Sequence, residues 1–246
     1  MSVSLGEGNT PLIRSRAIGP AAGLRNLFFK LEAVNPTGSY KDRFAAAAIS
    51  HMVASGHTNC IATSSGNTGA ALAAYCAAAQ IRCRIAIVET APAAKLQQMM
   101  AYGAEIFRVR GFGTDAAITA RAITALETLG QQPGHALQIS AYKYSPHGME
   151  GVETIAHELG EQSDGKIDHV FCPAGGGGLT LAVARGFAKT KCRVAVHCVQ
   201  PEGNDTIAGA LRAGDAASCD VVCTTAISGL QVASVIDGNE VIRQCR

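Results

Sequence analysis

Short apolar runs alternate with longer stretches of helical period along this chain. Leu27 to Leu31, Cys60 to Thr63, Cys83 to Val88, Glu105 to Val109, Ala136 to Ile139, His169 to Cys172 and Val194 to Val199 read as strands. Between them Thr68 to Ala79, Ala93 to Tyr102, Thr114 to Leu129 and Met149 to Leu159 read as helices. In the third of these, Ile118, Ala122, Ala125, Leu126 and Leu129 fall on one face. Strand–helix alternation predicts an α/β architecture with mostly parallel sheets. The strands are almost continuously apolar, as when both sheet faces are covered. Ligands of such folds bind beyond the carboxyl ends of strands, where loops enter helices. Glycine-rich loops follow Thr63 and Cys172 at such positions.

Composition narrows the class. A chain of 246 residues makes one large domain or two small ones. Hydrophobic residues are 48% and charged ones 16%, which supports a folded core and excludes a disordered chain. The 21 basic residues are nearly balanced by 19 acidic ones, so no nucleic-acid partner is expected. No apolar run is long enough to cross a bilayer. The N-terminus lacks the basic-then-apolar order of a secretory signal. A cytoplasmic protein without membrane partners is the expectation. Nine cysteines show no Cys-x-x-Cys spacing. Cys60, Cys172 and Cys198 read as small core residues, the thiols as reduced, and no metal site is expected.

Three segments carry chemistry. In Asn35-Pro36-Thr37-Gly38-Ser39-Tyr40-Lys41-Asp42-Arg43, Pro36 and Gly38 mark a turn. Ser39 is a candidate N-cap, which puts Lys41 in the first turn of a helix. The helix dipole disfavours a charged amine there, which suits a lysine that forms a Schiff base. Taken alone, Lys41 reads as a surface lysine. Thr63-Ser64-Ser65-Gly66-Asn67-Thr68-Gly69 leaves a strand and opens a helix. Backbone N–H groups and hydroxyls there suit a carboxylate or phosphate; a capped turn is the plainer reading. In Pro173-Ala174-Gly175-Gly176-Gly177-Gly178-Leu179, four glycines let the backbone wrap an oxyanion. No Gly-Lys-Ser/Thr follows, so it is not a Walker loop, and Thr180 occupies the third-glycine position of the dinucleotide fingerprint. A flexible loop is the alternative. His51, His57 and His147 read as surface or capping residues, and Glu150 with Glu153 as a solvated helix face.

In this order the three segments, with the opening Gly6-Glu7-Gly8-Asn9-Thr10-Pro11-Leu12, resemble threonine synthases and their relatives among the fold-type II pyridoxal-phosphate enzymes. Tyr40 stands where phenylalanine is usual. The resemblance covers almost the whole chain. It implies a two-domain α/β fold like that of tryptophan synthase β. Residues 1–44 and 146–246 would form the large cofactor-binding domain and 45–145 the small one. It further implies that Lys41 carries the cofactor and acts as catalytic base. Asn67 would meet the ring hydroxyl, and Gly175, Gly176, Gly177 and Gly178 the cofactor phosphate. Ser64, Ser65, Gly66 and Thr68 would hold the substrate carboxylate.

The implied reaction converts O-phosphohomoserine to threonine and phosphate, and the resemblance implies a homodimer, as is common among relatives. The alternatives are a serine/threonine dehydratase and, in another class, an inactive short paralogue that acts as a binding partner. Two departures are expected to matter. Relatives continue into a C-terminal segment that supplies a serine or threonine to the pyridine nitrogen and completes the large domain, and the present sequence is expected not to include this part. Some threonine synthases also carry an arginine and a lysine near the segment matching His147 to Thr154. Here neither is present, and Arg43, Lys143 and Lys95 are the candidate replacements for binding the substrate phosphate.

Overall fold

Every apolar run read as a strand is one, with ends shifted by at most one residue. The computed structural model describes residues 2–64, 66–89, 91, 93–232 and 235–245. The chain runs β1 (Leu12–Arg14), α1 (Ile18–Ala21), β2 (Phe28–Lys30), a 3-10 turn (Glu32–Val34), α2 (Lys41–Ala54), β3 (Asn59–Thr63) and α3 (Asn67–Ala78). It continues through β4 (Arg82–Val88), α4 (Ala93–Ala101), β5 (Glu105–Val109), α5 (Ala116–Gly130), β6 (His135–Gln138) and α6 (Pro146–Gln162). The last elements are β7 (His169–Pro173), α7 (Gly178–Ala188), β8 (Ala195–Val199), α8 (Ala208–Ala213) and α9 (Gly238–Gln244). Among the described residues, no helix is long and apolar enough to cross a membrane.

One sheet has the order β5-β4-β3-β6, with every pairing parallel. A second is the parallel pair β7-β8, and β1-β2 is a short antiparallel ribbon. Alternate residues of a strand face opposite sides of a sheet. Cys60, Ala62, Cys83, Ile85 and Ile87 accordingly point into the main core with α3 and α4. Ile61 and Ala86 point the other way, against Phe112 and Leu126. The inner face of α5 is rotated from its predicted one. Ala122, Ile123 and Leu126 pack inward, while Ala125 and Leu129 are exposed. Asp115 accepts the Ile118 N–H as N-cap and starts the helix two residues later than predicted. Gly130 lets the helix end approach β6, because a Cβ there would lie 2.6 Å from that of Leu137.

The main core is continuous from α3 and the four-stranded sheet through α2 and α6 to α7 and β7. α6 packs against α2 on one side and α7 on the other. Small residues allow both approaches. A Cβ on Gly151 would strike the Arg43 carbonyl, and one on Gly186 would lie 2.5 Å from the Glu153 carbonyl. The N-terminus of α2, which bears Lys41, and that of α7, which bears the glycines, are thus set around one shared helix. The outer face of β7-β8 is open. Phe171 is 61% exposed and stacks on His197 at 4.4 Å between ring centroids.

Candidate active site

α2 begins at Lys41 itself, and Tyr40, not Ser39, is the residue before it. Ser39 still contributes, since its Oγ accepts the Lys41 N–H at 3.3 Å. Asp42 is fully buried and pins the preceding turn. It accepts the Thr37 N–H at 3.1 Å and the Thr37 hydroxyl at 2.9 Å. Burial raises its pKa above the ordinary carboxylate value, against those hydrogen bonds. With the turn fixed, the Lys41 ammonium lies 4.5 Å from the Tyr40 ring centroid, at cation–π distance. Its Nζ donates to Ser140 Oγ at 2.8 Å. The Ser140 hydroxyl in turn points at Met149 Sδ, 3.6 Å away.

Ser140 lies two residues beyond β6. The register pairs Ala62 with Gln138, so Ser140 and the turn after Thr63 leave the same end of the sheet. In that turn the Ser64 hydroxyl accepts the Gly66 N–H at 3.2 Å, and Asn67 opens α3 with its side chain exposed. Thr68 is buried. Gly69 must be glycine, because a Cβ would lie 2.6 Å from both the Ser64 carbonyl and Met99 Cε. Ser65 lies outside the described residues.

The tetraglycine loop reaches the same place. Gly178 is the first residue of α7, and a Cβ on it would lie 3.5 Å from the Ser140 carbonyl and 3.2 Å from Met149 Cε. Lys41 and the glycine loop therefore converge on Ser140. Gly177 has φ +81°, in the left-handed region. A Cβ there would stand 2.5 Å from Ile207 Cδ1 and 2.8 Å from Val241 Cγ2. Gly175 has the segment 229–232 against it, with Val232 Cγ2 3.0 Å from a Cβ position. Gln200 ties the loop down by donating to the Gly175 carbonyl at 3.0 Å, while its own carbonyl accepts from Ile207 and Ala208. Asp237, just before α9, accepts the Tyr142 N–H at 2.6 Å and holds the segment after Ser140.

The opening motif has a structural task. Arg43 is 2% exposed in its side chain and is paired with Glu32 at 2.8 Å and Glu158 at 2.6 Å. Glu158 also accepts the Asn9 and Thr10 N–H groups and Lys30 Nζ. Gly8 donates its N–H to Asn35. Residues 8–10, the turn before Lys41, α2 and α6 are thereby joined through one buried cation. Arg43 is consequently saturated by carboxylates and unavailable to a substrate phosphate. Lys143 lies over the Tyr144 ring at 4.9 Å. Lys95 contacts Gln98, whose amide donates to the Thr37 carbonyl and brings α4 against the turn before Lys41. Glu153 is not solvated: it is 4% exposed and accepts the Tyr142 hydroxyl and Lys189. Glu150 is exposed beside His147, whose ring stacks on His51 at 3.9 Å. Ser140 and Asp237 escaped the sequence reading. Only the position of Ser140 after an apolar strand marked it.

Chemically, the convergence offers an amine to an aldehyde and, nearby, a glycine-lined helix N-terminus to a phosphate. The first N–H groups of a helix have no intrahelical partners and suit an anion. No side chain beyond hydrogen could occupy Gly177 without displacing Ile207 and Val241. This donor set fits pyridoxal phosphate.

Comparison with known proteins agrees. The sequence profile described as "Pyridoxal-phosphate dependent enzyme" matches residues 3–246. The chain is 35% identical over 234 residues to a threonine synthase of Bacillus sp. (strain ULM1), covering 88% of this chain and 64% of that protein. It is 34% identical over 206 residues to a 2-amino-4-ketopentanoate thiolase beta subunit of Acetoanaerobium sticklandii, covering 76% and 42%. The serine racemase of Dictyostelium discoideum superposes with a TM-score of 0.77 at 25% identity, over 96% of this chain and 72% of that one. The chain spans 44–64% of the length of the threonine synthases of Bacillus sp. (strain ULM1) and Methanocaldococcus jannaschii. With its α/β layers and parallel sheets, the chain belongs to the family of pyridoxal-phosphate dependent enzymes of fold-type II, whose cofactor is pyridoxal 5′-phosphate.

Proposed function

We propose that this chain carries the cofactor lysine of a carbon–oxygen lyase of the threonine synthase type, which converts O-phosphohomoserine and water to threonine and inorganic phosphate. The observation that supports it best is the meeting of Lys41 Nζ, Ser140 and the α7 glycine loop. The 35% identity to a threonine synthase supports the choice of substrate. In this reading Lys41 holds the cofactor, Gly175 to Gly178 receive its phosphate, and Asn67 meets its ring hydroxyl. Ser64, Ser65, Gly66 and Thr68 receive the substrate carboxylate. The four-stranded sheet belongs to a small domain of residues 45–145, and the flanking segments belong to the large one.

Pyridoxal phosphate, when bound, supplies an electron sink for charge developing at the substrate α-carbon. The protein supplies the rest. Lys41 Nζ is the base that takes the α-proton and the acid that returns one. Ser140 Oγ orients that amine, and the Tyr40 ring covers one side of it. The N-terminus of α3 fixes the substrate carboxylate, so that the α-proton faces Lys41. Lys95, on the helix packed against the turn before Lys41, is the cation we assign to the departing phosphate. A second reading, a β-eliminating serine/threonine dehydratase, is supported by the likeness to a serine racemase, which also acts on serine.

The test begins with binding. The purified chain mixed with pyridoxal phosphate should turn yellow, and borohydride should fix the cofactor on the peptide containing Lys41. A colourless protein, or an adduct elsewhere, overturns the assignment of the lysine. Phosphate released from O-phosphohomoserine without 2-oxobutyrate from threonine supports the synthase reading, and the reverse supports the dehydratase.

A further inference from the structure

Cys60, Cys76 and Cys83 take no part in the site around Lys41. Cys60 is the second residue of β3 and Cys83 the second of β4, and the two are partners in the parallel ladder. Cys76 lies in the last turn of α3, which packs on the same face of the sheet. All three are buried, and their Sγ atoms lie within 4.8 Å of one another. Among the described residues no histidine or carboxylate joins the group. The cluster sits where the strands begin. Three residues of β3 separate it from the turn at Ser64, about 13 Å at the usual rise of a strand.

A single buried thiol is a small apolar filler. Three that converge from two strands and a helix form a tridentate soft donor set. Charge then decides what such a set can hold in an apolar core, because an uncompensated buried charge is costly. Three thiolates around a divalent zinc leave one negative charge and lack the fourth ligand of its tetrahedral site. Around monovalent copper they leave two negative charges. Around a trivalent ion they leave none.

We propose that Cys60, Cys76 and Cys83 form a binding site for a trivalent thiophilic metalloid, the class represented by trivalent arsenic. In the binding step three arsenic–sulfur bonds form and three arsenic–oxygen bonds of arsenous acid break. The three thiol protons leave on the hydroxides as three waters, and no oxidation state changes. With bonds of about 2.3 Å, as for zinc–thiolate, sulfurs around a pyramidal centre that keeps its lone pair stand about 3.5 Å apart. Small side-chain rotations reach that spacing from the observed one.

The experiment incubates the full, reduced chain with sodium arsenite, removes excess by gel filtration and measures native mass. One arsenic less three hydrogens should be gained per chain. Cys76→Ala should lose at least tenfold in retained arsenic, Cys83→Ala likewise if the first variant does not fold, and Cys219→Ala, at an exposed thiol, should retain it. Zinc offered in place of arsenite should not be retained through these thiols. The inference is overturned if the wild type retains no arsenic, if it gains a mass other than that of three displaced hydrogens, or if the alanine variants retain as much as the wild type. It is also overturned if Cys60 and Cys83 form a disulfide instead. Cofactor binding at Lys41 is a separate readout and does not bear on these outcomes.

Discussion

Replacing Glu158 with glutamine removes one charge from the centre of the network that holds the start of α2. The change is isosteric, so packing is retained. Arg43 keeps Glu32 but loses its shorter ion pair, and Lys30 and the Asn9 and Thr10 N–H groups lose a carboxylate. Breaking a buried pair by removing one partner costs about 3–5 kcal/mol. The carboxylate itself gives a second estimate. Although burial raises its pKa, hydrogen bonds from Arg43, Lys30 and Asn9 outweigh that effect and bring Glu158 from 4.5 down to about 2. At 1.36 kcal/mol per unit this corresponds to about 3 kcal/mol at neutral pH. The side chain is only 18% exposed, so screening by solvent is modest. The folded pKa is the lower one, so the unfolded chain binds more protons as pH falls through this range. The contribution is complete above 4.5 and fades as pH approaches 2, leaving about 1.4 kcal/mol at pH 3. Urea unfolding of wild type and Glu158→Gln, followed by circular dichroism at pH 7 and pH 3, measures both values. A difference below about 1 kcal/mol at pH 7, or one that does not shrink at pH 3, refutes the account of Arg43 as a buried, doubly paired cation.

Two further outcomes follow from the site. Gly177→Ala forces a left-handed residue and a Cβ into contact with Ile207 and Val241; we expect a loss of about 3 kcal/mol in denaturant unfolding and a weaker affinity for pyridoxal phosphate. An unchanged midpoint would show that the loop relaxes around the methyl. Ser140→Ala removes the acceptor of Lys41 Nζ. It should cost about 1 kcal/mol of stability and move the pH midpoint of the cofactor's visible band, while borohydride still fixes the cofactor on Lys41. A pH profile identical to wild type would leave Ser140 without a part in orienting the amine.

Local pattern carried most of the architecture. The alternation of apolar runs with helical periods was sufficient for the strands from β2 to β8 and the helices between β3 and β7. Each depends on the character of neighbouring side chains and on backbone preference. The short β1, α1, α8 and α9 were not legible, because their stability comes from what they pack against and not from their own periodicity. The rotation of the α5 face has the same origin. Ile123 and Ala125 are both apolar, and Ile123 is the one that joins Leu126 in a cluster with Phe112 and Leu137, which lie outside the helix.

The candidate site divides along the same line. Four glycines after a strand are visible in sequence because they answer a local demand for a backbone free of Cβ atoms, whereas Lys41 stands out only through the order of the motifs around it. Ser140 is 99 residues from the lysine it touches, and Glu158 is 115 from Arg43. Arg43 looked free to bind phosphate and Glu153 looked solvated, yet both are buried with partners supplied by distant elements. The three cysteines on β3, α3 and β4 have no recognisable spacing and meet only because parallel pairing places two side by side and the helix crosses over them. The sequence alone determined the class of fold and the positions of the glycine loops, since these follow from short-range periodicity and backbone geometry, and it nominated Lys41 through the order of its motifs. Tertiary structure alone decided which charges are paired, which thiols meet and which hydroxyl holds the lysine. Those outcomes depend on helix packing through small residues and on strand register, neither of which is encoded within any single segment.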